Sequence, residues 1–230
     1  MNKISWIIFF VITIGILILL VVFSGSSKID VSHVDGNSVQ QASDQNGNIA
    51  DHTSGNIDGK VVLIEYADFQ CPGCASIYPV IKSVTDKYSK QMLFIFRNYP
   101  LTELHPNAKA ASGSAEAAGL QGKYWEMHDK IYGTQSDWST LSITDRSKFF
   151  ENLAKGAGVD VTKFNSDLLL PSINAKISFD SALGNKAGVN ETPTFFLNGK
   201  KLEPSAFGTE AKLIETINAE LVKAGIALPE

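Results

Sequence analysis

"IEYADFQCPGCASIYP", Ile64 to Pro79, carries the two cysteines of this 230-residue chain, with two residues between them. Their neighbours decide how the pair is read. Before them, Val61-Val62-Leu63-Ile64-Glu65-Tyr66-Ala67 is apolar on both alternating faces, the pattern of a central strand covered on both sides. After them, Ile77, Val80, Ile81, Val84 and Tyr88 recur at helical spacing, and Pro72 falls where a first-turn proline fits. Pro79 lies inside that helix, where it should kink it. Met92 to Tyr99 reads as a second strand. Strand, helix and strand make a right-handed βαβ unit with the cysteines at the mouth of its helix.

Such a pair could staple the fold, bind metal, lie inert or do redox chemistry. Two cysteines three positions apart close almost no loop, so a crosslink between them stabilises little. A structural zinc site needs four ligands, whereas the chain offers one pair, with His105 and His128 in a different segment. A zinc shared between two chains and two inert buried thiols are the remaining alternatives, and no resident metal is expected. The redox reading has a mechanism. At a helix N-terminus the Cys71 sulfur meets unpaired N–H groups and the positive end of the helix dipole, which favour thiolate over thiol. Cys74, one turn in, is placed to attack a mixed disulfide on Cys71 and release the substrate as a thiol.

Ile4 to Phe23 contains no charge, and 17 of its 20 residues are apolar. At about 1.5 Å per residue this spans the roughly 30 Å of a bilayer core. Residues 1–23 therefore read as a single transmembrane anchor. Cleavage at Ser24-Gly25-Ser26, as in a secretory signal peptide, is the competing reading. Lys3 before the span favours a cytoplasmic N-terminus, which puts the remainder, cysteines included, outside the cytoplasm. Residues 24–56 hold no Phe, Tyr, Trp, Leu, Pro or Cys, and 22 of the 33 are Ser, Gly, Asn, Asp or Gln. They read as a flexible polar linker, with His33 and His52 solvated. From residue 57 on, 18 basic residues stand against 20 acidic ones, a net charge of −2 with no footprint for nucleic acid.

The rest of the chain reads as one α/β domain, 57–230. A helical insert at about 103–188 is divided at Gly133 to Leu141, Gly156-Ala157-Gly158 and Pro171. His105 stands as a helix-start residue, while Tyr124, Trp125, Tyr132 and Trp138, with His128, read as packing of the insert. Thr194 to Leu197, Asn198-Gly199 and Lys200 to Leu202 form a hairpin with the residues a type I′ turn wants. Thr209 to Ala224 closes the chain as an amphipathic helix.

Several of these stretches resemble the DsbA-like thiol-disulfide oxidoreductases of the thioredoxin superfamily: "VVLIEYADFQCPGC", Pro79, "LHPNAKAASGSAEAAGLQGKYWEMHDKIYGTQ", "LAKGAGVDVTKF" and "ETPTFFLNGK". The resemblance spans essentially 57–230, and the anchor is similar to that of Gram-positive-type members. It implies a thioredoxin-like fold, a redox-active Cys71–Cys74 disulfide with no other cofactor, and an active-site motif in which Pro72 and Gly73 separate the sulfurs. It further implies a cis Thr192-Pro193 loop that faces the cysteines and pairs with extended substrate. Glu65 takes the place of the family's buried acid beneath the resolving cysteine. Asp68 and Gln70 also match the pattern but read as solvated loop. Gly73 departs from it, since the most oxidising members carry histidine there.

The function this implies is disulfide oxidase, acting on reduced exported proteins as a single-pass, monomeric cell-membrane protein re-oxidised by a quinone-linked membrane partner. A reductase or isomerase of the same fold, or a redox-silent peptide-binding module or chaperone, are the alternatives. Isomerases of this superfamily carry a dimerisation domain before the catalytic one, which a polar linker cannot supply.

Overall fold

Five strands form one mixed sheet in the order β1-β3-β2-β4-β5, seen in a computed structural model that describes residues 6, 9–16 and 29–229. The chain divides into two units, Met1–Asp30 and Val31–Glu230. In the first, residues 9–16 are helical. No helix among the described residues is long and apolar enough to cross a membrane, and most of the expected span lies outside them.

In the second unit, β1 is His52–Gly55, β2 Val61–Ala67 and β3 Met92–Asn98, with α1, Pro72–Lys87, between β2 and β3. The insert comprises α2 (Ala108–Gly119), α3 (Tyr124–Gly133), α4 (Gln135–Trp138), α5 (Ile143–Gly156), α6 (Val161–Asp167) and α7 (Pro171–Lys186). The chain closes with β4 (Thr194–Leu197), β5 (Lys200–Lys201), α8 (Pro204–Phe207) and α9 (Glu210–Lys223). β2 runs parallel to β3 and antiparallel to β4, so β2 is central. Asn198 and Gly199 both have positive φ, 49° and 78°, as the hairpin signature requires.

Strand alternation gives the sheet two different faces. Leu63, Glu65, Phe94, Phe96 and Phe195 share one, which buries Ile77 and Ile81 of α1, Met127 and Ile131 of α3, and Leu213 and Ile217 of α9. Ile64, Tyr66, Ile95 and Arg97 share the other. There Arg97 bonds Asp51 (2.7 Å), and Lys176 of α7 bonds both Asp51 (3.0 Å) and Asp180 (2.7 Å), all with side chains fully buried.

That second face corrects the expected linker. Residues 31–56 are part of the domain: β1 pairs antiparallel with β3, and Val31, Asn46, Ile49 and Asp51 are buried. The segment holds few apolar residues because polar partners elsewhere order it. Arg97 donates to the carbonyls of Gly36 and Ser38, and Lys186 donates to those of Val31, Ser32 and Val34. His52 is not solvated; its Nε2 lies 2.8 Å from Glu116 Oε2, and its ring stacks on Tyr124. The domain begins at residue 31.

Candidate functional site

β2 delivers the chain to residues 68–70, and Cys71 is the residue that caps α1, extended at φ −66°, ψ 123°. Its own carbonyl starts the helix by accepting from Ala75 N–H, while its sulfur stays at the N-terminal end. Cys71 retains 8% of its accessible surface and Cys74 none, although Pro72 and Gly73 between them are exposed. The two thiols are unlinked.

Thr192-Pro193 is a cis peptide, and the Thr192 carbonyl accepts from Cys71 Sγ at 3.2 Å. Gly73 faces the same spot. A Cβ built there would sit 3.4 Å from Pro193 Cδ and 3.6 Å from Cys71 Sγ, ordinary contact distances or nearly so. Glu65, 4% exposed in β2, lies on the sheet face that α1 covers and is close enough to Cys74 to act on its charge. The residues singled out from the sequence, Glu65, Cys71 to Cys74, Thr192 and Pro193, are therefore brought together.

Their environments drive the titrations apart. The Cys71 thiol is pulled down to about 5, first by the hydrogen bond from the Cys74 thiol; burial opposes this, and the backbone N–H groups of Cys74 and Gly73 reinforce it. Cys74 is pushed well above its ordinary range by burial, by Cys71 and by Glu65. Burial alone raises Glu65 to about 8. At neutral pH the site holds a thiolate, a thiol and a protonated carboxyl within one helical turn and the adjacent strand.

The loop before the cysteines departs from the sequence reading. Asp68 and Gln70 are buried and hold the insert to the sheet. Asp68 accepts from Gln70 N–H (2.7 Å) and Leu101 N–H (2.8 Å), and pairs with His105 Nδ1 at 2.7 Å. Gln70 accepts from Asn107 N–H and donates to the Ser139 carbonyl. From α4, Gln135 donates to the carbonyls of Phe69 and Cys71. Short polar residues flanking a turn look solvated when the partners that bury them lie 33 to 69 residues away. Asp68, Gln70 and Gln135 were marked only by lying in stretches that resemble the family, which gave none of them a role.

Residues 47–216 match the thioredoxin family. The chain belongs to that family. Among curated relatives, a Na(+)/H(+) antiporter NhaA 1 of Mycolicibacterium gilvum is 34% identical over 153 residues, 66% of this chain but 24% of that protein. The chain thus spans about a quarter of the length of the curated relatives it matches. Among solved structures, Wolbachia pipientis alpha-DsbA1 is similar at a TM-score of 0.66 and 23% identity, over 76% of this chain and 92% of that one. Oxidised BdbD from Bacillus subtilis is similar at 0.65 and 21%, over 80% and 98%. At these identities the likeness is one of fold, a thioredoxin-like sheet with a helical insert.

Proposed function

We propose that the protein is a thiol-disulfide oxidase in which Cys71 is the nucleophile, Cys74 the resolving thiol and Glu65 the group that exchanges a proton with Cys74. The observation that carries this reading is the opposite titration of the two sulfurs, one drawn down to about 5 and the other pushed up. A substrate thiolate attacks Cys71 of the disulfide, and Cys74 leaves as a thiolate that takes the Glu65 proton. A second substrate thiolate then attacks its own sulfur in the mixed disulfide, closing the substrate disulfide and releasing Cys71. A stabilised Cys71 thiolate favours the dithiol form of the enzyme, so its disulfide is oxidising.

The strip beside Thr192-Pro193 is where an extended segment of a reduced exported protein docks, pairing with the backbone of Thr192. The apolar run of residues 4–23 supports a location at the cell membrane with the cysteines outside, where a quinone-linked membrane protein would re-oxidise the enzyme. It acts as a monomer, with the Cys71–Cys74 disulfide as its sole redox group.

The test is equilibration with glutathione buffers, together with the cysteine redox state in cells. The expected potential lies between the roughly −270 mV of thioredoxin and −120 mV of DsbA, with the cysteines mostly oxidised in cells. A potential at or below the thioredoxin value, with reduced cysteines in cells, would make the protein a reductase. Gly73→His should shift the potential upward, because a side chain there starts 3.6 Å from Cys71 Sγ and an imidazolium beside that sulfur stabilises the thiolate. An unchanged potential would separate Gly73 from control of the sulfur.

A further inference from the structure

One side-chain amide of the helical insert reaches the backbone of Cys71 itself. Gln135, the first residue of α4, donates from Nε2 to the Phe69 carbonyl at 2.8 Å and to the Cys71 carbonyl at 2.9 Å. A primary amide nitrogen carries two hydrogens, so both bonds form together and bridge the turn that leads into α1. The Cys71 carbonyl is also the first acceptor of that helix, taking the Ala75 N–H at 3.1 Å. Its two lone pairs are thus matched by two donors, one from α1 and one from the insert.

The amide is itself held from behind. At the other end of α4, Trp138 is fully buried, its Nε1 donating to the Ile131 carbonyl of α3 at 2.9 Å and its ring lying 5.1 Å from that of Phe150 in α5. Asp68 and Gln70 tie the turn to the insert through their side chains, whereas Gln135 grips its backbone. The sulfur depends on that backbone. Cys71 stands at φ −66°, ψ 123°, and the N–H groups of Gly73 and Cys74 meet its sulfur because the chain turns into helix directly after it. Rotation about ψ would swing the Cys71 carbonyl and, with it, the first N–H groups of α1 relative to Sγ. An amide that fixes the carbonyl therefore fixes the sulfur against the helix end.

We propose that Gln135 is the positioning residue through which the helical insert sets the reactivity of Cys71, by fixing the Cys71 carbonyl and so holding Sγ against the first N–H groups of α1. The inference rests on the oxidoreductase reading and extends it from the cysteines to a residue 64 positions away. A held sulfur matters at both ends of the exchange. The incoming substrate thiolate needs Cys71 Sγ presented in line with the bond to Cys74 that breaks. When the second substrate thiolate closes the substrate disulfide, Cys71 departs as a thiolate into N–H groups already aimed at it, with no reorganisation of the turn. Gln135 exchanges neither electrons nor protons and acts through the Cys71 peptide.

The experiment compares three variants of the full chain by the pH profile of Cys71 alkylation with iodoacetamide, by equilibration with glutathione buffers and by urea unfolding. Gln135→Met keeps the length of this half-buried side chain and removes both donors. It should raise the alkylation midpoint by about one pH unit. The equilibrium constant for oxidation by the enzyme disulfide should fall about tenfold, which makes the potential about 30 mV more reducing. Gln135→Glu, which turns the donors into an acceptor and adds a negative charge, should shift both readings further the same way. Gln70→Met breaks the neighbouring bonds between turn and insert but spares the Cys71 carbonyl, and should lower stability with a smaller shift of the midpoint. Lowered stability in the Gln135 variants with wild-type midpoint and potential would reduce the residue to packing and overturn the proposal. So would wild-type values throughout, or an equal shift in Gln70→Met. A wild-type protein that exchanges no disulfide would overturn the oxidoreductase reading, while alkylation, which needs no redox partner, would still decide whether Gln135 governs Cys71.

Discussion

Cys71 meets the N–H groups of Gly73 and Cys74 at the head of α1, while Cys74, three residues on, is fully enclosed above Glu65. Iodoacetamide alkylation of reduced protein should therefore titrate with a midpoint at about 5, and a midpoint near the ordinary 9.0 would remove the stabilised thiolate. Glu65 carries a second consequence, for stability. Its folded pKa of about 8 stands above an ordinary 4.5, so between those values the folded state binds more protons than the unfolded one. Stability must then fall as pH rises through that window. Glu65→Gln is neutral throughout. It should match wild type near pH 4.5 and exceed it at pH 8 by a few kcal/mol in urea unfolding, because each pH unit between the two values contributes about 1.4 kcal/mol. Parallel stability curves would show a carboxylate already ionised in the fold. The two sulfurs stood out in their own short contiguous signal, whereas Glu65 and Thr192-Pro193 were marked only by resemblance to the family pattern. Asp68 and Gln70 were misread because their partners in the insert are remote in sequence.

The elements whose sequences bury their own apolar residues match their expected ranges closely: β2, α1, β3, the β4-β5 hairpin and α9. β1 was not legible. His52-Thr53-Ser54-Gly55 has no apolar alternation and is ordered by the backbone edge of β3 and by Trp125 Nε1 donating to the Thr53 carbonyl. α7 shows a related effect, since a glycine in its third turn or beyond lowers helix propensity by about 1 kcal/mol relative to alanine. Gly184 is tolerated because α7 presses there on the sheet. A Cβ at this position would lie 2.7 Å from the Tyr99 ring and 3.1 Å from the Tyr66 ring. Tyr99 cannot swing aside freely, because its hydroxyl bonds both Asn185 and the Val189 carbonyl. The steric cost, about 1 to 3 kcal/mol for an overpacked core, should exceed the propensity gain. Gly184→Ala is expected to lower the midpoint of thermal unfolding. A raised midpoint would mean that the ring gives way and that helix propensity dominates.

At the scale of the whole molecule, the sheet carries the cysteine site on one face and a buried charge network on the other, and the network depends on residues upstream of the apparent domain. Asp51 is the shared acceptor of Arg97 and Lys176, both with side chains fully buried. Composition alone pointed to an independent domain at 57–230, because residues 24–56 bring almost no large apolar side chains. It could not show that their acids and carbonyls neutralise cations contributed by β3 and α7. Leaving one partner of a buried ion pair unmatched costs about 3 to 5 kcal/mol, against a total stability of about 5 to 15 kcal/mol for an ordinary domain. Removing 31–56 would also bare the edge of β3, where Leu93 and Ile95 are now buried, as a site for strand-to-strand association. Residues 31–230 expressed alone should therefore be soluble and unfold in one cooperative transition. Residues 57–230 should aggregate or melt well below it. Asp51→Asn in the longer fragment isolates the ionic part, because it keeps β1 in place and removes one charge; its destabilisation should fall between the two fragments. Equal melting temperatures for 31–230 and 57–230 would show that the segment merely lies on the sheet and that the cations of the second face find their balance in Asp180 and Glu116 alone.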